Sequence, residues 1–372
     1  MAISKVTTAS ITDADITTAK LAYDAAPFRN IIINGDMSIA QRGTSVSSIT
    51  SSGYNTVDRF RLNLSSLGTW TQSQSTDVPS GQGFGYSQKL DCTTANASPS
   101  ASGQFIFEQK IEAQNLQYLK KGTASAESLT LSFWVKSNKT GTYIAELFDD
   151  DNNRQISKAY TISSASTWEK KTITYDGDTT GTLNNDNGSG LRVNLWLGAG
   201  SNTTSGTLST TWTSYSDPNR AVGQVNLADS TANEWYITGI QLEAGTSASD
   251  FEFLPLDVNL FRCQRYLVTI DNTSGAGAIY SGRSFGTTQI TFCVPLPTPL
   301  RASPTITLAG TLRAFYGGGY NDSTGSMGVS NYGNLFSNLI ALESSGFSGI
   351  TDNRIYNVAH ISNTTLKLDS EL

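Results

Sequence analysis

The stretch WYITGIQLEAGTSASDFEFLPLDVNLFRCQRYL, residues 235–267, joins two kinds of local structure and sets the reading of the rest of the chain. Trp235 and Ile237 alternate with Tyr236 and Thr238, the period-2 pattern of a strand with one buried face. After Gly239 the apolar parity passes to Ile240 and Leu242, a shift that one extra residue at a glycine bulge explains. The run AGTSAS then supplies a turn. Beyond it Leu256, Leu260, Cys263 and Leu267 fall at alternating four- and three-residue steps, which places them on one face of a short helix. One domain closes on a strand here, and another opens on a helix.

Outward from this junction, 372 residues exceed one ordinary domain, and the reading is an arm at 1–29, a domain at 30–255 and a domain at 256–372. Upstream, Leu129, Leu131, Phe133 and Val135 alternate with Thr130, Ser132, Trp134 and Lys136. Val193, Leu195 and Leu197 repeat that alternation against Arg192, Asn194 and Trp196. Strands are also expected at 31–33, 56–64, 143–148 and 171–175, with DDDNN and NNDNGSG as turns between strands. Downstream, short runs at 277–281, 289–294, 305–308 and 354–361 read as further strands, and the glycine-rich tract at 316–328 as an exposed loop. Charged residues are only 15% of the chain and glycine is abundant, so the expected class is all-β, an antiparallel β-sandwich followed by a second, smaller β-sandwich.

The balance of charge narrows the function. A formal charge of -6 with no basic cluster excludes binding to the phosphate backbone of nucleic acid. No apolar run approaches the ~20 residues of a membrane helix. The opening MAISKVTTASITD has no apolar h-region, so no secretory signal is expected. Cys92, Cys263 and Cys293 are widely spaced and odd in number, and all three are read as buried thiols. His360 is the sole histidine, so a mechanism needing two imidazoles is excluded.

Near the start, Val6, Ile11, Ile16 and Leu21 recur every five residues, with alanines at 9, 14 and 19. That period suits neither a straight helix nor a flat strand, and a single chain cannot bury both sets of positions. Winding around identical copies would bury them. A disordered polar tail is the alternative.

Several motifs carry a resemblance. GIQLEAG, the following F-x-F-x-P, CQRY at 263–266 and the opening NIIINGDMSIAQRG at 30–43 resemble recurrent segments of bacteriophage tail-fibre proteins. The span between them resembles carbohydrate-binding jelly rolls, and PLPTPLRASPT with the final LDSEL resembles the C-terminal domain of the same family. The resemblance implies a virion structural protein, a homotrimeric tail fibre attached through its N-terminal arm to other virion proteins and contacting host surface polysaccharide. A head fibre or capsid decoration protein, bound to the capsid through that arm, is the alternative. The jelly-roll resemblance also implies a structural calcium near the first strand. Met37 and Ser38 follow Asp36, and Thr238-Gly239 stands where a last-strand acid is expected, so the chain departs from that pattern.

A sugar ring offers an apolar face and a rim of hydroxyls, so its site needs a flat aromatic plate beside hydrogen-bonding groups. Trp134 and Trp196 lie on the polar side of alternating strands, and Ser132, Glu146, Arg192 and Asn194 would form the rim if the strands neighbour each other on one sheet. Packing of these tryptophans against a loop, a helix or another subunit is the alternative. The acidic runs Asp149, Asp150, Asp151 and Asp176, Asp178, Asp186 offer hard oxygen donors without EF-hand spacing, and solvated turns are the plainer reading. No nucleophile elbow, phosphate loop or zinc motif is present, and Glu108, Glu146 and Glu234 form no recognisable catalytic pair, so no enzyme is expected.

Overall fold

A computed structural model describes residues 28–272, 279–330, 338–361 and 363–372. The repeat with Val6, Ile11, Ile16 and Leu21 lies outside them. Two compact units are present. Of the described residues, one comprises those up to Met37, Ser47–Gly53 and Arg61–Phe253, and the other those within Ser38–Val46, Tyr54–Phe60 and Leu254–Leu372.

Up to residue 253 the strands are β1 Ser45–Ile49, β2 Arg61–Ser65, β3 Thr69–Ser75, β4 Ser87–Thr94, β5 Gln104–Glu112, β6 Leu129–Ser137, β7 Gly141–Asp149, β8 Arg154–Ile162, β9 Glu169–Tyr175, β10 Ser189–Ala199, β11 Thr213–Ser214 and β12 Glu234–Ala244. They form two antiparallel sheets, ordered β1-β3-β4-β12-β6-β9 and β11-β8-β7-β10-β5-β2. Alternation on β6 turns Leu131, Phe133 and Val135 into the space between the sheets, where all three are fully buried. Rings from the two sheets meet there: Trp70 with Phe105 at 4.4 Å, Phe133 with Tyr160 at 5.1 Å and Phe107 with Trp235 at 5.7 Å. Truncating any one of these to alanine would cost ~3–5 kcal/mol.

The bulge on β12 is present. Between Thr238 and Gln241 the strand advances three residues while β6 advances two, from Trp134 to Ser132. Gly239 absorbs the extra residue at φ 64°. The segment 31–33, by contrast, is not a ladder strand. Positive φ at Asn34 and Met37 breaks the extended chain. Single hydrogen bonds hold it to β12 instead, Ile31 N to Leu242 O at 2.9 Å and Ile240 N to Gly35 O at 2.9 Å.

The second unit opens with the helix Leu256–Gln264 and continues with β13 Leu267–Asn272, β14 Ile279–Phe285, β15 Gln289–Pro295, β16 Thr305–Ala309, β17 Leu312–Tyr316, β18 Gly319–Asp322, β19 Met327–Val329, β20 Leu339–Ser344, β21 Ile355–His360 and β22 Thr364–Asp369. A three-stranded sheet, β13-β22-β16, and a seven-stranded sheet, β18-β17-β21-β14-β15-β20-β19, complete the all-β architecture. Their shared core includes Val268, Phe292, Val294, Leu342, Leu366 and Leu368.

Three expectations are corrected here. The helix buries Asn259 and Cys263 but leaves Leu256 64% exposed, and Leu267 already belongs to β13. The glycine-rich tract is mostly paired: Tyr316 stands opposite Gly319, and Gly317 and Gly318 at φ 57° and 91° form the two-residue turn that suits a hairpin. Cys293 is exposed, because alternation on β15 turns Phe292 and Val294 inward and Cys293 outward.

Candidate functional site

The six residues expected to share one face are divided between the two sheets of the first unit. Trp134 and Ser132 lie on β6, whereas Trp196, Asn194, Arg192 and Glu146 lie on β10 and β7 of the other sheet. Trp196 is fully buried. Ile106, Ile144 and Ala221 pack around it, and the Arg220 guanidinium stands 5.0 Å from its ring, so the connection between β10 and β12 roofs this part of the sheet. Beneath that roof Glu146 accepts hydrogen bonds from Asn194 at 2.9 Å, Trp196 Nε1 at 3.1 Å and both Arg220 Nε and Nη2. Arg192 is tied to Asp150. These four side chains serve the fold, and the single-platform expectation is corrected.

Trp134 is different. Its strand turns Thr130, Ser132, Trp134 and Lys136 away from the core, and the register sets Trp134 opposite Lys170 on β9 and Thr238 on β12. A cleft of about 380 Å³ opens there, lined by Ser132, Trp134, Lys170, Gln82, Asp250 and the rings of Phe84, Phe251 and Phe253. The three phenylalanines touch one another at 4.8–5.1 Å and form an apolar wall. Gly239 is what admits Phe84: a Cβ at this bulge would stand 2.5 Å from the Phe84 ring. Lys170 is exposed and carries no ion-pair partner among the described residues.

On the same outer face, one register step from Trp134, Lys136 stands opposite Tyr236 and pairs with Asp77. Its ammonium lies 4.2 Å from the Tyr236 ring and 5.5 Å from the Trp168 ring. Trp168 Nε1 donates to Asp77 Oδ1 at 3.0 Å, and Lys89 Nζ reaches Glu234 at 3.0 Å. Partial burial disfavours the Asp77 anion, but hydrogen bonds from Lys136 and Trp168 together with the Lys136 charge hold its carboxyl below the usual range. Burial and the hydrogen bond to Glu234 push the Tyr236 phenol up to about 12 despite Lys89. The result is a half-buried Trp168 set edge-on, 6.2 Å away, to a buried Tyr236, framed by charged hydrogen-bonding groups beside the Trp134 cleft.

Sequence reasoning found Trp134 and Ser132 and missed Lys136, Tyr236, Lys170, Trp168 and Asp77. Lys136 and Tyr236 share the outward parity of strands already recognised, and Lys170 stands one residue ahead of the strand expected at 171–175. Trp168 and Asp77 sit outside the alternating runs, and only the folded sheet brings them together.

The acidic runs are occupied by side-chain cations. Lys121 Nζ lies 3.1 Å from Asp149 and 3.0 Å from Asp178, with Trp212 beneath it at 4.0 Å. Arg154 adds two hydrogen bonds to Asp178. Asp151 accepts from Asn184, and Asp186 from the Gly188 amide. Among the described residues, no group of three or more His, Cys, Asp or Glu is placed to hold a metal ion. Thr238 bonds the Tyr86 carbonyl at 2.7 Å in the strand where the jelly-roll resemblance calls for an acidic calcium ligand.

No protein-family model matches the chain. No curated protein matches it either. Among solved structures it is similar to the enzymatically active domain of bacteriophage CBA120 tailspike protein 4, with 15% identity over 59% of this chain and TM-score 0.32. The matched part spans 22% of that tailspike domain. A putative sugar binding protein from Bacteroides thetaiotaomicron is similar over 58% of this chain and 99% of its own, with 11% identity and TM-score 0.31. So is a family 11 carbohydrate-binding module from Clostridium thermocellum in complex with a β-1,3-1,4-mixed-linked tetrasaccharide, over 55% of this chain and 98% of its own, with 11% identity and TM-score 0.28.

Proposed function

We propose that the first unit binds carbohydrate on the outer face of the sheet that carries Trp134, within a virion fibre whose role is attachment to host surface glycans. One observation carries the reading: the partly exposed Trp134 and Trp168 lie at one sheet face, each beside charged or hydroxyl side chains and backed by the buried Tyr236, next to a cleft the size of one or two sugar rings. An aromatic plate takes the C–H face of a pyranose. Ser132, Gln82, Lys170 and Asp250 supply donors and acceptors for its hydroxyls. The virion setting, the homotrimer and the anchoring role of Val6, Ile11, Ile16 and Leu21 rest on the sequence resemblance and on the five-residue repeat. Copies joined through that arm would add avidity to weak individual sites.

Affinity electrophoresis of the full chain through host polysaccharide tests the reading. Wild type is expected to be retarded, and W134A/W168A to migrate freely while keeping its far-UV circular dichroism. Equal retardation of the folded double variant would remove the assignment. The second reading, a head fibre or capsid decoration protein, keeps the same face and differs in where the arm attaches, so binding of the full chain to purified heads against purified tails separates the two.

A further inference from the structure

The seven-stranded sheet of the second unit packs one face against its own core, and on the other face several outward side chains are exposed. On β14 the inward residues are Tyr280, Gly282 and Ser284, and the outward ones are Ile279, Ser281, Arg283 and Phe285. Across β21, β14, β15 and β20 the outward positions form a contiguous surface. Ile355 pairs with Arg283, Phe285 with Gln289, Cys293 with Ala341 and Pro295 with Leu339. Ile355 is 67% exposed, Ile279 60% and Leu339 44%. Exposed large apolar side chains gathered on one sheet face mark an interaction surface more often than a solvated one.

Its charges say what covers it. Arg313 and Asp322 satisfy each other at 2.6 Å, and the Arg354 guanidinium stacks 4.5 Å from Tyr316. That leaves two. Arg283 donates only to the Asn353 amide oxygen, with no carboxylate in reach, and the half-buried Glu343 makes no hydrogen bond or ion pair among the described residues. Both belong to one cross-strand row, Ile355, Arg283, Thr291, Glu343. The two do not pair with each other in the chain, because Arg283 is turned to Asn353 and Thr291 stands between them in the row. A face with an unpaired cation and an unpaired anion two strands apart in one row is complementary to itself. A second copy set against it brings its Glu343 to Arg283 and buries the aliphatic side chains between them.

We propose that this face is an interface between copies of the chain, closed by Arg283 of one copy on Glu343 of another. The proposal does not depend on carbohydrate binding, nor on the N-terminal arm.

Cys293 provides the readout, because it lies on this face and is the one exposed thiol among the three cysteines. Facing sheets stand ~10 Å apart, within the span of a short bismaleimide. Full-length protein at about 50 µM, a concentration that populates micromolar associations, is expected to give a cross-linked dimer band that C293S lacks. R283E and E343R alone are expected to lower its yield on the order of tenfold by setting like charges together, and R283E/E343R to restore it. I355D, with unchanged thermal unfolding, is expected to abolish it. Absence of the band in folded wild type, or a double variant no better than either single one, overturns the interface, and does so even if the arm keeps the particle oligomeric.

Discussion

Arg220 grips Glu146 with two hydrogen bonds, Nε to Oε1 at 2.8 Å and Nη2 to Oε2 at 2.9 Å, around a carboxylate that is wholly out of contact with water. Four donors converge on that carboxylate, so the pair and its neighbours Asn194 and Trp196 form one network. Removing one partner leaves a buried charge without its counter-ion. R220A is therefore expected to destabilise the first unit by ~3–5 kcal/mol in chemical denaturation. R220A/E146Q should recover much of the loss, because the stranded charge is gone. Equal stability of R220A and wild type would mean that the roof opens to water without cost.

Asp178 makes the first unit sensitive to acid. Burial disfavours its anion, but the Arg154 hydrogen bonds and the Lys121 charge outweigh that and lower the carboxyl from 3.8 to about 2. A depressed carboxylate stabilises the fold above its unfolded pKa and ceases to do so as pH falls through the folded value. The window is about pH 4 down to 2, and the contribution at neutral pH is about 2 kcal/mol. D178N is expected to lose that amount at pH 7 and to differ little from wild type at pH 2. Urea midpoints at the two pH values check this.

His360 acts similarly in the second unit. It is 1% exposed beside the Tyr280 ring, neither ring nitrogen has a hydrogen-bond partner among the described residues, and burial lowers its pKa below 6.5. The unfolded chain therefore takes up the proton first. Stability is complete above pH 6.5 and falls as the pH drops toward the folded value. In H360F the contribution to the slope below pH 6.5 should vanish, read as the difference between the two melting-temperature curves. Parallel curves for the two proteins would show that this imidazole is not what titrates.

Gly239 links the bulge to the cleft. Its φ of 64° is costly for any residue with a Cβ, and that Cβ would collide with Phe84. G239A is expected to lower stability by ~1–3 kcal/mol and to weaken polysaccharide retention as Phe84 moves into the cleft. Retention unchanged in a folded G239A would place binding away from Trp134.

The alternations at 129–135, 193–197 and 235–242 were sufficient to name two sandwiched sheets, since period-2 burial is a local property of each strand. The same runs also located the bulge at Gly239, because a parity change is visible in one dimension. Even the outward position of Tyr236 and Lys136 was legible. Strand neighbours were not. Trp134 and Trp196 occupy equivalent places in their alternating runs, yet one lies in an open cleft and the other under a roof. Nothing in either run distinguishes them, because the roof comes from the connection before β12.

What the sequence determined by itself was the class of structure, the faces of the strands and the break at Gly239. These follow from the backbone preferences and hydrophobicity of adjacent residues. Only the tertiary structure decided which charges meet: Lys121 between Asp149 and Asp178, Glu146 under Arg220, and Arg59 buried against Glu371 with its guanidinium 3.4 Å from the Tyr266 ring. Partners such as Arg59 and Glu371 are hundreds of residues apart in the chain. Their pairing depends on sheet order, and sheet order is set by the packing of whole faces rather than by any short run.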